Sequence, residues 1–483
     1  MKLSQNQQTQ INSKEDQSPS RVFGAMASLA LSMLLSSLGI SIANVALPTL
    51  AQYFSASFQQ VQWVVIAYLL AITVMIVSVG RLGDLVGRRR VFVGGILLFT
   101  VASVLSGLAP TLWMLVLARI VQGLAAAILM ALSTALVRET VAAEKTGSAM
   151  GLLGTMSAIG TALGPSLGGF LIAGLDWRAI FFVMVPIGLL NLLLAYRYLP
   201  EPEPGKVSAR FDGWGTLLLG LSLTAYAFAV TVNGGRFDQL NAILILAALI
   251  AVGLFIVAQT RVVSPLVPLA AFRNRPFNAS LLANAIVSTV MMSTLVVGPF
   301  FLSRSLGLSE VQVGLVLSTG PIFSTLSGVP AGRLVDWMGG TTVVIAGLTA
   351  MVIGVFALAW MPSMYGIAGY IGALAVLTPG YQMFQAANNT VVMMNVAPDQ
   401  RGVISGILSL SRNLGLVTGA SAMGAVFAYA VGANDISSTS PETVAYGMQF
   451  TFMVASGLIL IALVAMVLGR AAANRTKAHQ DAS

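Results

Sequence analysis

The chain has 483 residues, 57% of them hydrophobic and 8% charged, and its mean hydropathy is +0.88. A soluble chain carries roughly a quarter charged residues to cover its water-facing surface, so this composition excludes a water-soluble globular protein. The net charge of +9 does not indicate nucleic acid either, because the basic residues sit in short loops between apolar runs rather than clustered on one face with stacking aromatics.

With no cysteine and one histidine, His479 near the C-terminus, no thiolate metal site can be assembled, and no metal or other cofactor is expected. Residues 1–22 form a polar, Gln- and Ser-rich tail, which is expected to be cytoplasmic. It lacks the charged lead into a short apolar core that marks a cleavable signal peptide. Beyond it lie fourteen apolar segments, most of them about 20 residues, long enough to cross a hydrocarbon core of ~30 Å. They are expected to be helices, because only helices and closed barrels satisfy every backbone group in lipid.

The first six segments run Phe23–Ala46, Val61–Gly80, Val91–Ala109, Leu112–Val137, Ala149–Ala173 and Trp177–Leu199. Two more, Gly213–Val232 and Leu240–Gln259, precede Phe277–Leu302, Val311–Gly332, Thr341–Trp360, Met364–Ala386, Gly402–Ala430 and Tyr446–Gly469. This gives an all-α membrane protein with an N-terminal six-helix bundle over 23–199 and an inserted two-helix segment over 200–276. A C-terminal bundle over 277–469 and a tail over 470–483 complete it. Of the 25 Lys and Arg residues, 20 fall on one side of the alternating loops, three on the other, and two, Arg119 and Arg412, within segments. Basic loops stay cytoplasmic, so both termini are expected there.

The two bundles read as repeats. Gly80-Arg-Leu-Gly-Asp84 returns as Gly332-Arg-Leu-Val-Asp336 at an offset of 252, which places Gly87 on Gly339. Gly151, Gly160, Gly164 and Gly169 return as Gly406, Gly415, Gly419 and Gly424 at an offset of 255. Transporter sites commonly lie at the interface of such repeats.

Three motifs stand out. The stretch Gly80 to Arg90, with Gly87, Arg88 and Arg89, reads as a loop in which glycines allow a tight turn. In it Asp84 can pair with Arg88 or cap the next helix as a breakable lock; the plainer alternative is a topology signal. Within the fourth segment Arg119, Gln122 and Gly123 share a helical face. A guanidinium at that depth needs a partner or a wet cavity, or else is a structural arginine bonded to carbonyls. In the fifth, Gly154, Gly160, Gly164-Pro165 and Gly168-Gly169 allow close helix packing with a kink or swivel at the proline.

In order and spacing these motifs resemble those of the major facilitator superfamily. Fourteen segments and Asn44-Val-Ala-Leu-Pro48 resemble its fourteen-helix drug:proton antiporter branch. Trp177-Arg178, Phe181, Pro186-Ile-Gly188, Arg401-Gly402, Ser405-Gly406 and Arg412 are further matches. The resemblance implies that Gly80 to Arg90 gates the cytoplasmic side, that Arg119 serves coupling, and that Gly164-Pro165 marks the antiporter helix. The chain departs from the branch at Gly39, where an Asp is usual, and at Met184, where an Asn is usual. None of its 16 acids lies deep within a segment.

A central cavity without a fixed negative charge should prefer neutral or anionic amphiphiles, because nothing in it offsets a cation's desolvation. Proton coupling must then use peripheral acids such as Asp84, Asp212 or Asp336, or a proton carried by the substrate. Arg412 joins Arg119 as a coupling candidate, with carbonyl bonding as its structural alternative. Mid-depth polar and aromatic residues nominate a pocket: Asn44, Trp63, Tyr68, Gln122, Tyr226, Asn284, Tyr381, Gln382 and Gln385. Among them the run Pro379 to Gln385 is favoured, since Pro-Gly should break the helix where polar groups gather. Interhelical packing is the alternative for each.

The expected function is proton-coupled export of small amphipathic compounds, multidrug-type, across a bacterial inner membrane by alternating access. An exporter or facilitator of one metabolite, such as an organic anion or sugar, is the alternative, and a transport-dead sensor is a third. An enzyme is not expected, for want of a nucleophilic or metal constellation. The expected partners are a small-molecule substrate, protons and the lipid bilayer, with no nucleic acid, and the expected state is a monomer.

Overall fold

A computed structural model describes residues 19–142, 145–200, 212–232, 238–262, 272, 275–394, 396, 401–432 and 439–480. Residues 1–18 and 481–483 of the expected tails, and most of the loop positions flanking the inserted pair, lie outside the described residues, while 19–22 and 470–480 belong to the first and last helices. The six helices of the first half are α1 (Pro19–Tyr53), α2 (Phe58–Val86), α3 (Arg88–Leu108), α4 (Leu112–Thr140), α5 (Thr146–Gly174) and α6 (Ala179–Phe182 continuing as Met184–Tyr198). The inserted pair is α7 (Gly213–Thr231) and α8 (Gln239–Arg261). Next come α9 (Arg275–Phe300, extended by a π-helical turn over Phe301–Ser305) and α10 (Glu310–Met338).

A 55-residue run, Gly340–Met394, is broken at Gly366, whose φ of 56° is non-helical; its parts, 340–365 and 367–394, are α11 and α12. α13 covers Arg401–Thr418, a π-helical turn over Gly419–Met423, and Gly424–Val431, and α14 is Pro441–Gln480. Among the described residues thirteen helical runs are long and apolar enough to cross a membrane, and dividing the longest at Gly366 gives the fourteen segments expected.

Local chemistry sets the helix ends, and it repeats between the halves. Ser57 and Gln60 form a reciprocal capping box at the start of α2, and Ser309 and Gln312 form the same box at the start of α10. Such a cap is worth about 1 kcal/mol. The same two helices end on glycines with positive φ, Gly87 at 103° and Gly339 at 79°, a conformation that L side chains rarely adopt. Box and glycine share the offset of 252 read from the loop motif, so α2 and α10 are copies of one element from cap to cap.

Two expectations about chain breaks are corrected. Gly80 to Val86 is the end of α2, not loop; only Gly87 lies outside a helix, because its positive φ alone makes the turn. Pro379-Gly380 does not break its helix, which remains helical there; a Cβ on Gly380 would lie 3.0 Å from Ala350 and from the Gly347 carbonyl, so the glycine serves close packing of α12 on α11. Pro165, where a kink or swivel is expected, lies inside the helix α5.

In the first half α1 packs on α5, α4 and α6, while α2 and α3 pack on α4; in the second, α9 packs on α13 and α14, and α10 on the α11–α12 run. The halves meet along α5 with α10, α2 with α13, and α1 with α9. The inserted α7 lies against α2 and α13, and α8 packs on α7, exposing Ile243, Leu246, Leu249, Ile250 and Leu254. An apolar helix so uncovered fits a lipid-facing position.

Candidate functional site

The end of the bundle that carries Arg88, Arg138 and Arg333 is here the basic end, and the opposite end the far end. At the far end the halves are in contact. Gly169 of α5 lies against the Glu310 carbonyl of α10, Gly314 of α10 against the Pro165 carbonyl, and neither has room for a Cβ. The Ser166 N–H donates to Ser318 Oγ at 3.0 Å. Phe58 packs edge-on to Phe300 at 4.7 Å and against Phe427 at 5.1 Å, and Gly424 abuts the amide of Gln62. Arg178, outside the spans, donates to Tyr53 Oη at 2.7 Å and Asp176 Oδ2 at 2.8 Å; those two hydrogen bonds hold its guanidinium above its ordinary pKa.

Toward the basic end the same helices separate. Gly151 and Gly154 of α5, Gly328 and Gly332 of α10, and Gly406 of α13 have nothing within 4 Å of a built Cβ, and Leu326 and Val329 of α10 are exposed. Of the glycines expected to gate, Gly164 and Gly168 pack on α1 at Ser41, Ile42 and Val45, whereas Gly169 packs on α10. The structure is therefore closed at the far end and open at the basic end.

At the basic end Asp84 accepts from Arg88 Nε at 3.0 Å and Nη2 at 2.8 Å, and Arg88 Nη1 also donates to Glu139 at 2.6 Å. Arg89 donates to the Tyr196 carbonyl at 2.6 Å. These bonds tie α2, α3, α4 and α6 within one half. The lock does not span the halves in this conformation. Each pair is partly exposed and contributes about 0.2–1 kcal/mol. The Asp84–Arg88 pairing follows from the motif, but Glu139 was not foreseen: it lies 51 residues on, and only the folding of α4 beside α3 brings it there. In the second copy Gly340 stands where Arg88 would fall, and Asp336 is exposed.

Arg119 is fully buried. Its Nε donates to the Val64 carbonyl at 3.0 Å, Nη2 to the Gly39 carbonyl at 2.8 Å and Nη1 to Gln122 Oε1 at 2.5 Å, and the guanidinium lies 4.1 Å from the Tyr68 ring centroid. Gln122 Nε2 donates onward to Ser103 Oγ at 2.8 Å and to Met184 Sδ at 3.6 Å, and Tyr68 Oη to the Ser36 carbonyl at 2.9 Å. Every partner is neutral. The two positions at which the chain departs from the family pattern, Gly39 and Met184, both belong to this shell.

The expected pocket residues do not form one cluster. Tyr68 and Gln122 are sealed around Arg119. Trp63 packs at a tilt on Phe228 of α7 at 4.1 Å, and Tyr226 of α7 lies against Thr418 and Ser421 of α13, so both serve the seam with the inserted pair. Asn44 and Asn284 are buried, donating to the Ile40 and Leu408 carbonyls. Tyr381, Gln382 and Gln385 of α12 are half-exposed, as is Tyr226; Gln385 donates to Tyr381 Oη at 3.0 Å and Gln382 to Ser324 of α10 at 2.5 Å. A helix's rotation about its axis decides which face is wet, and polarity alone does not reveal it.

Asp212 is buried, caps α7 through the Gly215 N–H at 2.8 Å and accepts from Gln259 of α8 at 2.8 Å. Arg412 is the opposite of Arg119: exposed, with no ion pair or hydrogen bond among the described residues. The expected alternative of carbonyl bonding for Arg412 is thus corrected; the α13 surface around it leaves its head group clear of the backbone. Sequence reading also missed Gln62 and Asn388, buried amides with no partner for either atom. Neither the run Gln59-Gln60-Val61-Gln62 nor the pair Asn388-Asn389 offered a periodic signal that Gln62 and Asn388 would be sealed in.

The family model of the Major Facilitator Superfamily matches residues 29–420. A transporter of Escherichia coli, YebQ, whose role is uncharacterized, is 31% identical over 82% of this chain and 87% of its own length. The multidrug efflux pump LfrA of Mycolicibacterium smegmatis is 31% identical over 85% and 81%, and the riboflavin transporter RibZ of Clostridioides difficile is 28% identical over 91% and 95%. Among solved structures a D-xylose-proton symporter superimposes with a TM-score of 0.68 at 15% identity, covering 92% of this chain and 97% of that one, which bears on the fold alone. The chain is a multi-pass membrane transport protein and belongs to the Major Facilitator Superfamily.

Proposed function

We propose that the protein is a secondary transporter that exports small amphipathic compounds across a bacterial cytoplasmic membrane by alternating access, with its basic end and termini in the cytoplasm. The observation that carries this reading is the asymmetric contact between the halves: sealed at the far end through Gly169, Gly314 and Phe58, open at the basic end. A cavity in that state loads from the cytoplasm. Reversal brings the open glycine faces of α5 and α10 together and parts the seal. Relatives that match over four-fifths of the chain, one named a multidrug efflux pump and one a drug efflux pump, support export.

The Gly80–Gly87 end of α2 with Arg88 at the start of α3, and the Asp336 end of α10, act as the gate at the basic end. Tyr381, Gln382 and Gln385 contribute to the wall of the substrate cavity. Protons drive the cycle through Asp84, Asp212 or Asp336, or travel with the substrate, because no acid lies deep within a span and Arg119 has only neutral partners. The cavity favours neutral and anionic compounds over permanent cations.

Uptake of a mixed panel of neutral, anionic and cationic amphiphiles into inverted membrane vesicles tests this. Accumulation of several neutral or anionic compounds, abolished by a protonophore, is expected. Ethidium as the best substrate overturns the charge reading, and equilibration indifferent to the protonophore overturns the coupling. If proton-driven uptake survives replacement of Asp84, Asp212 and Asp336 by Asn, those acids are not the carriers. A second reading, a carrier of one metabolite, is favoured by the neutral shell of Arg119 and by the similarity to a riboflavin transporter over 91% of the chain; a panel with one hit selects it.

A further inference from the structure

Of the two arginines within the spans, one is consumed by the fold and the other is left free. Arg119 spends its donors on two carbonyls and an amide. Arg412 is exposed and has no hydrogen bond or ion pair among the described residues. It lies eleven residues into α13, about 16 Å along the axis from the basic end at 1.5 Å per residue.

The packing of α13 fixes where this side chain looks. Ile407, Leu410 and Leu414 cluster with Leu219 and Leu223 of α7, and Thr418 and Ser421 meet Tyr226 of the same helix. Leu408 and Ser411 bond α9 at Asn284 and Leu281, and Gly415 and Gly419 approach the Ala285 and Thr289 carbonyls. At 100° per residue those contacts occupy two adjoining arcs. Arg412 falls in the remaining arc with Ser405, also exposed, and half-buried Ser409. That arc is opposite to α7. Because α7 packs on the outside of the α2–α13 junction, the arc faces the space between the halves, which is open at the basic end.

A single cation on the wall of a cleft without interior carboxylates makes that cleft electropositive, and low-dielectric walls concentrate the field on it. A guanidinium offers a fork of donors that suits carboxylate, sulfonate or phosphate oxygens. We propose that Arg412 is a substrate-binding residue that anchors an anionic oxygen group of the transported compound, with Ser405 and Ser409 hydroxyls available beside it. The proposal rests on the transporter reading above and names its substrate class: amphiphiles with an apolar body and one oxyanion.

A matched pair of probes tests it: 1-naphthalenesulfonate and its neutral sulfonamide. Their binding is titrated by thermal unfolding of the purified full chain, and their transport is followed in inverted vesicles, for wild type, Arg412→Gln and Arg412→Lys. Sulfonate affinity is expected to fall about tenfold or more in Arg412→Gln, as for loss of a charge-assisted hydrogen bond. Arg412→Lys should retain part of it, and sulfonamide binding and the ligand-free unfolding midpoint should stay unchanged. Equal losses for both probes, or a lowered ligand-free midpoint in both variants, would assign Arg412 a structural role and overturn the proposal. Equal binding of the sulfonate by wild type and Arg412→Gln, or no binding by wild type, overturns it as well. Arg412-dependent binding without transport of either probe would leave the binding site standing and sink the export reading instead.

Discussion

At the scale of single residues, the centre of the first half is a buried cation held without a counter-charge. Hydrogen bonds to a charged group contribute about 1.5–3 kcal/mol each, so the Gly39 and Val64 carbonyls and Gln122 make Arg119 a strut between α1, α2 and α4. Arg119→Gln is expected to lower the thermal unfolding midpoint and the transport rate together. Transport lost at unchanged stability would instead give the guanidinium a direct part in the cycle. Gln62 is the converse case, an amide closed into the far-end seal with neither atom partnered. A buried unsatisfied polar group costs about 1–3 kcal/mol, so Gln62→Met should raise the unfolding midpoint of the far-closed state and slow its opening. An unchanged or lower midpoint would mean that the amide is satisfied after all. The sequence displayed Arg119 plainly, as well as the unusual Gly39 and Met184, but not that all three meet. Their separations of 80 and 65 positions leave no trace in local pattern.

At the scale of helices, α2 and α10 are the best-determined elements, since cap, length and terminal glycine recur in both copies. Their shared motif was legible because it is local: an Asp three residues before a terminal Gly, Asp84 with Gly87 and Asp336 with Gly339, is a statement about neighbours. What was not legible is rotation and continuity. Trp63 and Tyr226 looked like pocket residues but serve the seam with the inserted pair, Trp63 against Phe228 of α7 and Tyr226, on α7, against Thr418 and Ser421 of α13, and Pro379-Gly380 looked like a break but is a close helix crossing, because Gly380 is needed by α11 rather than by its own backbone. The far-end contact of α5 with α10 depends on the same kind of demand. Gly314→Val places a branched side chain on the Pro165 carbonyl and should wedge the seal open, shifting the population away from the basic-open state. Cross-linking or label distances across α5 and α10 check it; an undisturbed seal would mean that the helices slide to absorb the methyls. Ser318→Ala, which removes only the bond to the Ser166 N–H, should destabilise the same seal by about 0.5–1.5 kcal/mol.

At the scale of the whole molecule, composition and hydropathy made the all-helical membrane fold readable, and the 252- and 255-residue offsets made its two halves readable. The direction in which the cleft opens was not, because two conformations of one sequence share every local signal. The structure supplies it through the split behaviour of the glycines: close contact at Gly169, Gly314 and Gly424, open space at Gly151, Gly154, Gly328 and Gly406. Alternating access requires that the two ends exchange these roles, a population shift between two states that a substrate or proton can bias.

The absence of native cysteine makes that exchange directly measurable, since spin labels can be placed without removing any thiol. Distances would be recorded between Leu175→Cys and Glu310→Cys at the far end, and between Gly151→Cys and Val329→Cys at the basic end, with and without a transported compound and a pH gradient. The account predicts that the far-end pair lengthens in the same conditions in which the basic-end pair shortens. Both pairs moving in the same sense, or neither moving while transport proceeds, would contradict it.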